Sequence, residues 1–189
     1  MWRIKYLKYS TEMKIALAQL NYTIGDIDGN ANLIIEAVRR AETEGADLVL
    51  FAEYAVSGTP AYDLLRKTTF LTLCEEALER IAEACHHVTA IVGSPILTEN
   101  GAVSAAAVLR QGRIDEIIEK QHISARREMG FIVSGEGSKV VRIGGCNIAV
   151  YVGNDMTNIN EVDSDVDFVV NINARRYGKG LLSYRYDWM

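Results

Sequence analysis

Positive charge is in deficit: 25 aspartates and glutamates face 20 lysines and arginines, a formal net charge of -5. Nucleic acids and anionic membrane surfaces are met by basic faces, so neither is an expected partner. No apolar run approaches the ~20 residues that span a bilayer, so no transmembrane helix is expected. The basic, aromatic start Met1–Tyr9 lacks the long apolar core of a secretory signal, which makes cytoplasm the expected compartment. Cysteine is scarce, and Cys74, Cys85 and Cys146 show no metal-ligand spacing. An odd set of this kind reads as reduced, mostly buried thiols, with no metal and no cofactor implied. His86 and His87 close a predicted helix, where positive charge suits the carbonyl ends, and His122 reads as a packed loop residue. Repeats, low-complexity tracts and linkers are missing too. The 189 residues therefore make one domain, or an incomplete part of a larger one.

What is present is an alternation of buried strands and amphipathic helices. Met13–Leu20 is an apolar strand that needs nothing before it, so residues 1–12 read as an added leader with Met13 the older start. Turn chemistry follows, and Asn30 is expected to cap a helix running to Glu44 with Leu33, Ile34, Ala37, Val38 and Ala41 inward. Gly45 stops it. Asp47–Ala52 is a continuous apolar strand of a sheet covered on both faces. A second helix is expected over Thr69–Cys85, with Leu71, Leu73, Cys74, Ala77, Leu78, Ile81 and Ala82 inward, and a strand over Val88–Ser94. Ala102–Leu109 and Ile114–Glu119 form a hairpin about Gln111-Gly112. After an irregular loop over 121–137, Lys139–Ile143 and Ile148–Val152 pair through Gly144-Gly145, and Val166–Asn173 is a last strand. Asp163, Asp165 and Asp167 form its solvated entry, and the tail 174–189 is a short surface helix or a loose end. The fold class is α/β with mixed strands.

Three strand ends carry the polar candidates: Glu53, Lys120 and the turn Gly153-Asn154-Asp155. A carboxylate and a lysine beside a thiol form a workable set for breaking amide or nitrile C–N bonds. The carboxylate takes the thiol proton, the thiolate attacks carbon, and the ammonium stabilises the oxyanion. The sulfur is what these strand ends lack. Gly153 ends its buried strand with no side chain. Cys146 starts that strand, more than ~20 Å of extended backbone away, too far to substitute.

Met13–Gly25, Gly45–Pro60, Ala105–His122 and Val169–Lys179 resemble the nitrilase-type carbon-nitrogen hydrolase superfamily. Within it they are most similar to the glutaminase domain of glutamine-dependent NAD synthetase. The resemblance covers about residues 13–180. It implies an α-β-β-α four-layer sandwich with a Glu-Lys-Cys set, whose glutaminase supplies ammonia to a separate synthetase domain. The family's Pro-Glu-Leu element corresponds to Ala52-Glu53-Tyr54, which makes Glu53 the general base. Its Lys-Gln-His element is Lys120-Gln121-His122, which makes Lys120 the oxyanion lysine. A second family glutamate corresponds to Glu128, for which the bland reading is an exposed ion pair with Arg126 or Arg127. The nucleophile element Cys-Glu-Asp aligns to Gly153-Asn154-Asp155, so the nucleophile is absent. The Asn-Ala-Ser-Pro turn reads Asn173-Ala174-Arg175-Arg176. Asn154 and Arg175 thus line the substrate pocket, with Arg175 and Arg176 able to meet an anion or to form a solvated basic turn.

The resemblance also implies further strands and a helix after Met189, so the chain is expected to be C-terminally truncated or one part of a split protein. The expected function is a degenerate, inactive nitrilase-fold protein with a binding or assembly role. The alternative is a weak amide hydrolase in which Glu53 and Lys120 activate water beside Gly153. A small amide is the expected ligand, and family sheet stacking implies a homodimer or larger oligomer.

Overall fold

A computed structural model describes residues 3–8, 13–123, 128, 130–158 and 165–175. Arg126, Arg127, Asp163, Arg176 and the tail 176–189 lie outside the described residues, as do positions 1–2 and 9–12 of the expected leader.

Two sheets form the body. The first has six strands in the order β1-β2-β3-β4-β5-β6: Arg3–Lys8, Lys14–Gln19, Leu48–Leu50, Thr89–Thr98, Gly101–Arg110 and Arg113–Glu119. β2, β3 and β4 run parallel, joined through helices α1 (Ile27–Thr43) and α2 (Thr68–Glu83). β4, β5 and β6 are antiparallel. The β5–β6 turn is Gln111-Gly112 as expected, both residues with positive φ (54° and 75°), the backbone a two-residue hairpin needs. β1 pairs antiparallel with β2, Arg3 opposite Gln19, so part of the stretch read as a leader forms the sheet's edge strand. The second sheet is β7-β8-β9: Lys139–Ile143, Cys146–Val152 and Phe168–Ile172, antiparallel then parallel.

Side-chain alternation along the strands builds two cores. Ala16, Val49, Ala90, Val92 and Leu109 face α1 and α2. Their neighbours Ile15, Leu48, Ile91 and Val108 face Val141, Ile148, Val150 and Ile172 of the second sheet. Both faces of β3 are thus covered, which is why its sequence is continuously apolar. Truncating fully buried Leu48 would cost about 2–5 kcal/mol. Helices, six-stranded sheet and three-stranded sheet are three of the four layers expected. Among the described residues, no helix is long and apolar enough to cross a membrane.

Three helix expectations are corrected. α1 starts at Ile27, one turn early, because the Asp26 carboxylate accepts the Gly29 N–H at 3.0 Å and caps it. Ile27 then extends the buried stripe Ala31, Ile34, Val38. Asn30 lies inside the helix, buried, where its amide bonds the Thr23 backbone at 2.9 and 2.8 Å and the Val56 carbonyl at 2.9 Å. On α2, Leu73 faces outward, 50% exposed, because it sits about 200° around the helix from Leu71. His86 and His87 lie beyond α2, and their backbone N–H groups donate to Glu42, at 2.8 and 2.7 Å.

Candidate active site

The site forms where the C-terminal ends of β3, β6 and β8 converge. Phe51 continues the β3 ladder by donating to Ile91 O at 3.0 Å, and the chain then turns, with Tyr54 at φ 59°. Gly93 on β4 makes room: a Cβ there would lie 2.6 Å from Glu53 Cα and 2.8 Å from Tyr54 N. The turn drives Glu53 inward, leaving it 5% exposed. Its Oε1 accepts from Lys120 Nζ at 2.9 Å and Ser104 Oγ at 3.1 Å, and its Oε2 accepts the Ala174 N–H at 3.2 Å.

Lys120 follows β6, fixed by its N–H to Ser104 O at 2.8 Å, and is 2% exposed. Its ammonium donates to Glu53 and, at 2.6 Å, to Glu128 Oε1. Glu128 is therefore not in an exposed pair. Its side chain is 11% exposed and also accepts from Tyr54 Oη at 3.0 Å. Two carboxylates flank one ammonium in a dry setting. Burial pushes the Glu53 carboxyl above its ordinary value, only partly opposed by Lys120. Burial pulls the Lys120 ammonium down, but Glu53 and Glu128 outweigh it and hold the group above the ordinary lysine value. Burial, then the charges of Glu53 and Glu128, raise the Tyr54 phenol well above its usual range, so it stays a donor.

Gly153 closes β8 at φ 59°, its N–H on Ile172 O at 2.8 Å, and a 3-10 turn (Asp155–Asn158) follows. A strand running through a left-handed residue into a helical turn is the backbone that aims a nucleophile out of a sheet. Here the elbow is bare. A Cβ at position 153 would lie 2.5 Å from Lys120 Nζ, 2.8 Å from its Cε and 2.9 Å from Glu53 Oε1. The lysine thus lies where a side chain would project.

The sequence-predicted residues Glu53, Lys120, Glu128 and Gly153 all meet. Asn154 sits at the rim, half-buried, and accepts from Arg175 Nη2 at 3.0 Å. Cys146 stands at the far end of β8. Cys74 and Cys85, in the helix-side core, have thiols pushed up to about 12, chiefly by burial, so they supply no thiolate. No group of side chains among the described residues suits a metal ion.

Sequence reasoning missed four supports. Ser104 is fully buried and steadies Glu53; a single hydroxyl in the apolar run Ala102–Leu109 was its signal. Tyr54 tethers Glu128. Asp155, 5% exposed, accepts the N–H groups of Gln121 at 2.9 Å and His122 at 2.6 Å, clamping the chain after Lys120 to the elbow. Asn173 Nδ2 donates to Gly153 O at 3.1 Å. His122 is exposed rather than packed; its Nδ1 lies 3.1 Å from Asp155 Oδ1.

Residues 14–174 match the carbon-nitrogen hydrolase family model. A glutamine-dependent NAD(+) synthetase of Xanthomonas campestris is 34% identical over 179 residues, covering 89% of this chain and 32% of that protein. The solved glutamine-dependent NAD+ synthetase of Acinetobacter baumannii superposes with a TM-score of 0.84 at 29% identity, over 92% of this chain and 34% of that one. An amidase from Nesterenkonia sp. shares the fold, with a TM-score of 0.75 at 20% identity over 90% of this chain and 68% of its own. The chain spans about a third of the length of the curated relatives it matches.

Proposed function

The chain belongs to the carbon-nitrogen hydrolase family, and from that premise we propose that its site binds a small amide without hydrolysing it. One observation carries this reading. The elbow residue is Gly153, and the ammonium of Lys120 occupies the space a nucleophile's Cβ would fill. Glu53 and Lys120 retain the arrangement of a base and an oxyanion donor, but the covalent step between them has no atom to form it. Losing a covalent route removes activity by several orders of magnitude rather than trimming it.

The rival reading, water activated by Glu53 and Lys120 beside Gly153, needs room where Lys120 already lies. A role in assembly belongs to the same proposal, because edge strand β7 presents Val140 outward, 54% exposed. Light scattering should then find at least a dimer. A cytoplasmic setting fits the buried Cys74, Cys85 and Cys146, none of which is in a disulfide.

The deciding assay is ammonia release from glutamine and from short primary amides. The parent chain should release none, while calorimetry detects amide binding. Gly153→Cys should gain release that iodoacetamide blocks. Release by the parent chain at a rate abolished in Glu53→Ala would reject the proposal.

A further inference from the structure

The rim of the site carries a feature that neither the fold nor the base–lysine pair requires. Arg175 is exposed, yet its position is fixed from several directions. Its backbone N–H donates to Asn173 Oδ1 at 2.7 Å, and that same Asn173 donates to Gly153 O at 3.1 Å. The preceding residue, Ala174, donates its N–H to Glu53 at 3.2 Å. The guanidinium then reaches back over the elbow to Asn154 Oδ1 at 3.0 Å. The turn bearing Arg175 is thus bonded to the elbow and to the buried carboxylate at once.

Nothing within the described residues neutralises this cation. Glu53 and Glu128 are engaged by Lys120, and Asp155 holds Gln121 and His122. No carboxylate of the described residues pairs with Arg175, and one of its five N–H donors serves Asn154. Arg175 and Asn154 are also where two departures from the family elements meet. By the sequence resemblance, Asn154 stands where the family element has an acid, and Arg175 where it has a hydroxyl. Both exchanges move the rim toward positive charge, and the two new side chains bond each other. A planar guanidinium held this way matches a carboxylate in two-point geometry, and it repels an ammonium.

We propose that the rim reads a carboxylate through Arg175, so that the preferred ligand is a small primary amide bearing a carboxylate and no ammonium group. This rests on the reading that the site holds a small amide, and the probes separate the two. Calorimetry on the full chain would compare glutaramate (amide and carboxylate), glutamine (the same with an ammonium) and butyramide (amide alone). Glutaramate should bind about tenfold to a hundredfold tighter than butyramide, the span of one charged hydrogen-bond pair, and tighter than glutamine. Arg175→Gln should erase that margin, and Arg175→Lys should restore part of it. Equal affinities for glutaramate and butyramide, or an unaltered margin in Arg175→Gln, would overturn the carboxylate assignment while small-amide binding stands. Failure of all three probes to bind would overturn small-amide binding and, with it, this assignment.

Discussion

Placing a methyl group at the elbow tests the geometry at its core. Gly153 has φ 59°, and a residue with a Cβ in that left-handed region costs roughly 1–3 kcal/mol. The new Cβ would also stand 2.5 Å from Lys120 Nζ, against ordinary contact near 3.5–4 Å. The ammonium must therefore retreat by about 1 Å. Its bonds to Glu53 and Glu128, at 2.9 and 2.6 Å, stretch in consequence. Outright loss of a buried ion pair costs about 3–5 kcal/mol, but the displaced atom is the end of a flexible chain, so only a fraction applies. Gly153→Ala should lose about 2–3 kcal/mol. With a urea dependence of about 2–3 kcal/mol per molar, the unfolding midpoint falls by about 1 M. Circular dichroism at equilibrium reads this directly. A variant within about 0.5 kcal/mol of the parent would mean that Lys120 does not lie against the elbow, and the account of the vacant nucleophile position would fail.

Two further outcomes follow from supports outside the ion cluster. Glu42 accepts the N–H groups of His86, His87 and Val88 at 2.8, 2.7 and 3.1 Å. Burial pulls its pKa up, but those three bonds outweigh it and leave the group below its ordinary 4.5. Its stabilisation is present above pH 4.5 and drains away as pH falls through the lower folded value. The melting temperature of the parent should therefore drop on acidification in that window more than that of Glu42→Gln, and parallel curves would refute the role. Asp155→Ala strips the acceptor from two backbone donors, a cost of about 2–3 kcal/mol. Amide exchange at Gln121 and His122 should accelerate while β4 stays protected; unchanged exchange would show that the clamp is idle.

The strands were legible because burial on both faces demands continuous apolar runs, and Glu53 and Lys120 because a charge that ends such a run is conspicuous. Gly153 was readable as an empty position. That Lys120 fills the space was not, since it depends on two sheets meeting. For Glu128 the family resemblance pointed to the site while local neighbours suggested an exposed pair with arginine; the local reading misses that it bonds Lys120 and Tyr54, the latter 74 positions away. The helix is capped by Asp26 rather than by Asn30, the cap read from the sequence. Asp26 prevails because Asn30 is drawn into bonds with Val56 that no local rule reveals. Leu73 was legible in principle: its angle around the helix, rather than its hydrophobicity, decides where it points.

The bond between Ala174 and Glu53 joins positions 121 apart, and Lys120 meets Glu53 across 67. Loop closures of that span come late when a polypeptide organises itself, after hairpins such as β5–β6 have formed. While the chain is still maturing, then, Glu53 waits in water apart from Lys120 and Ala174. Their meeting marks the last stage of self-organisation: they can report that folding is complete, but they cannot start it.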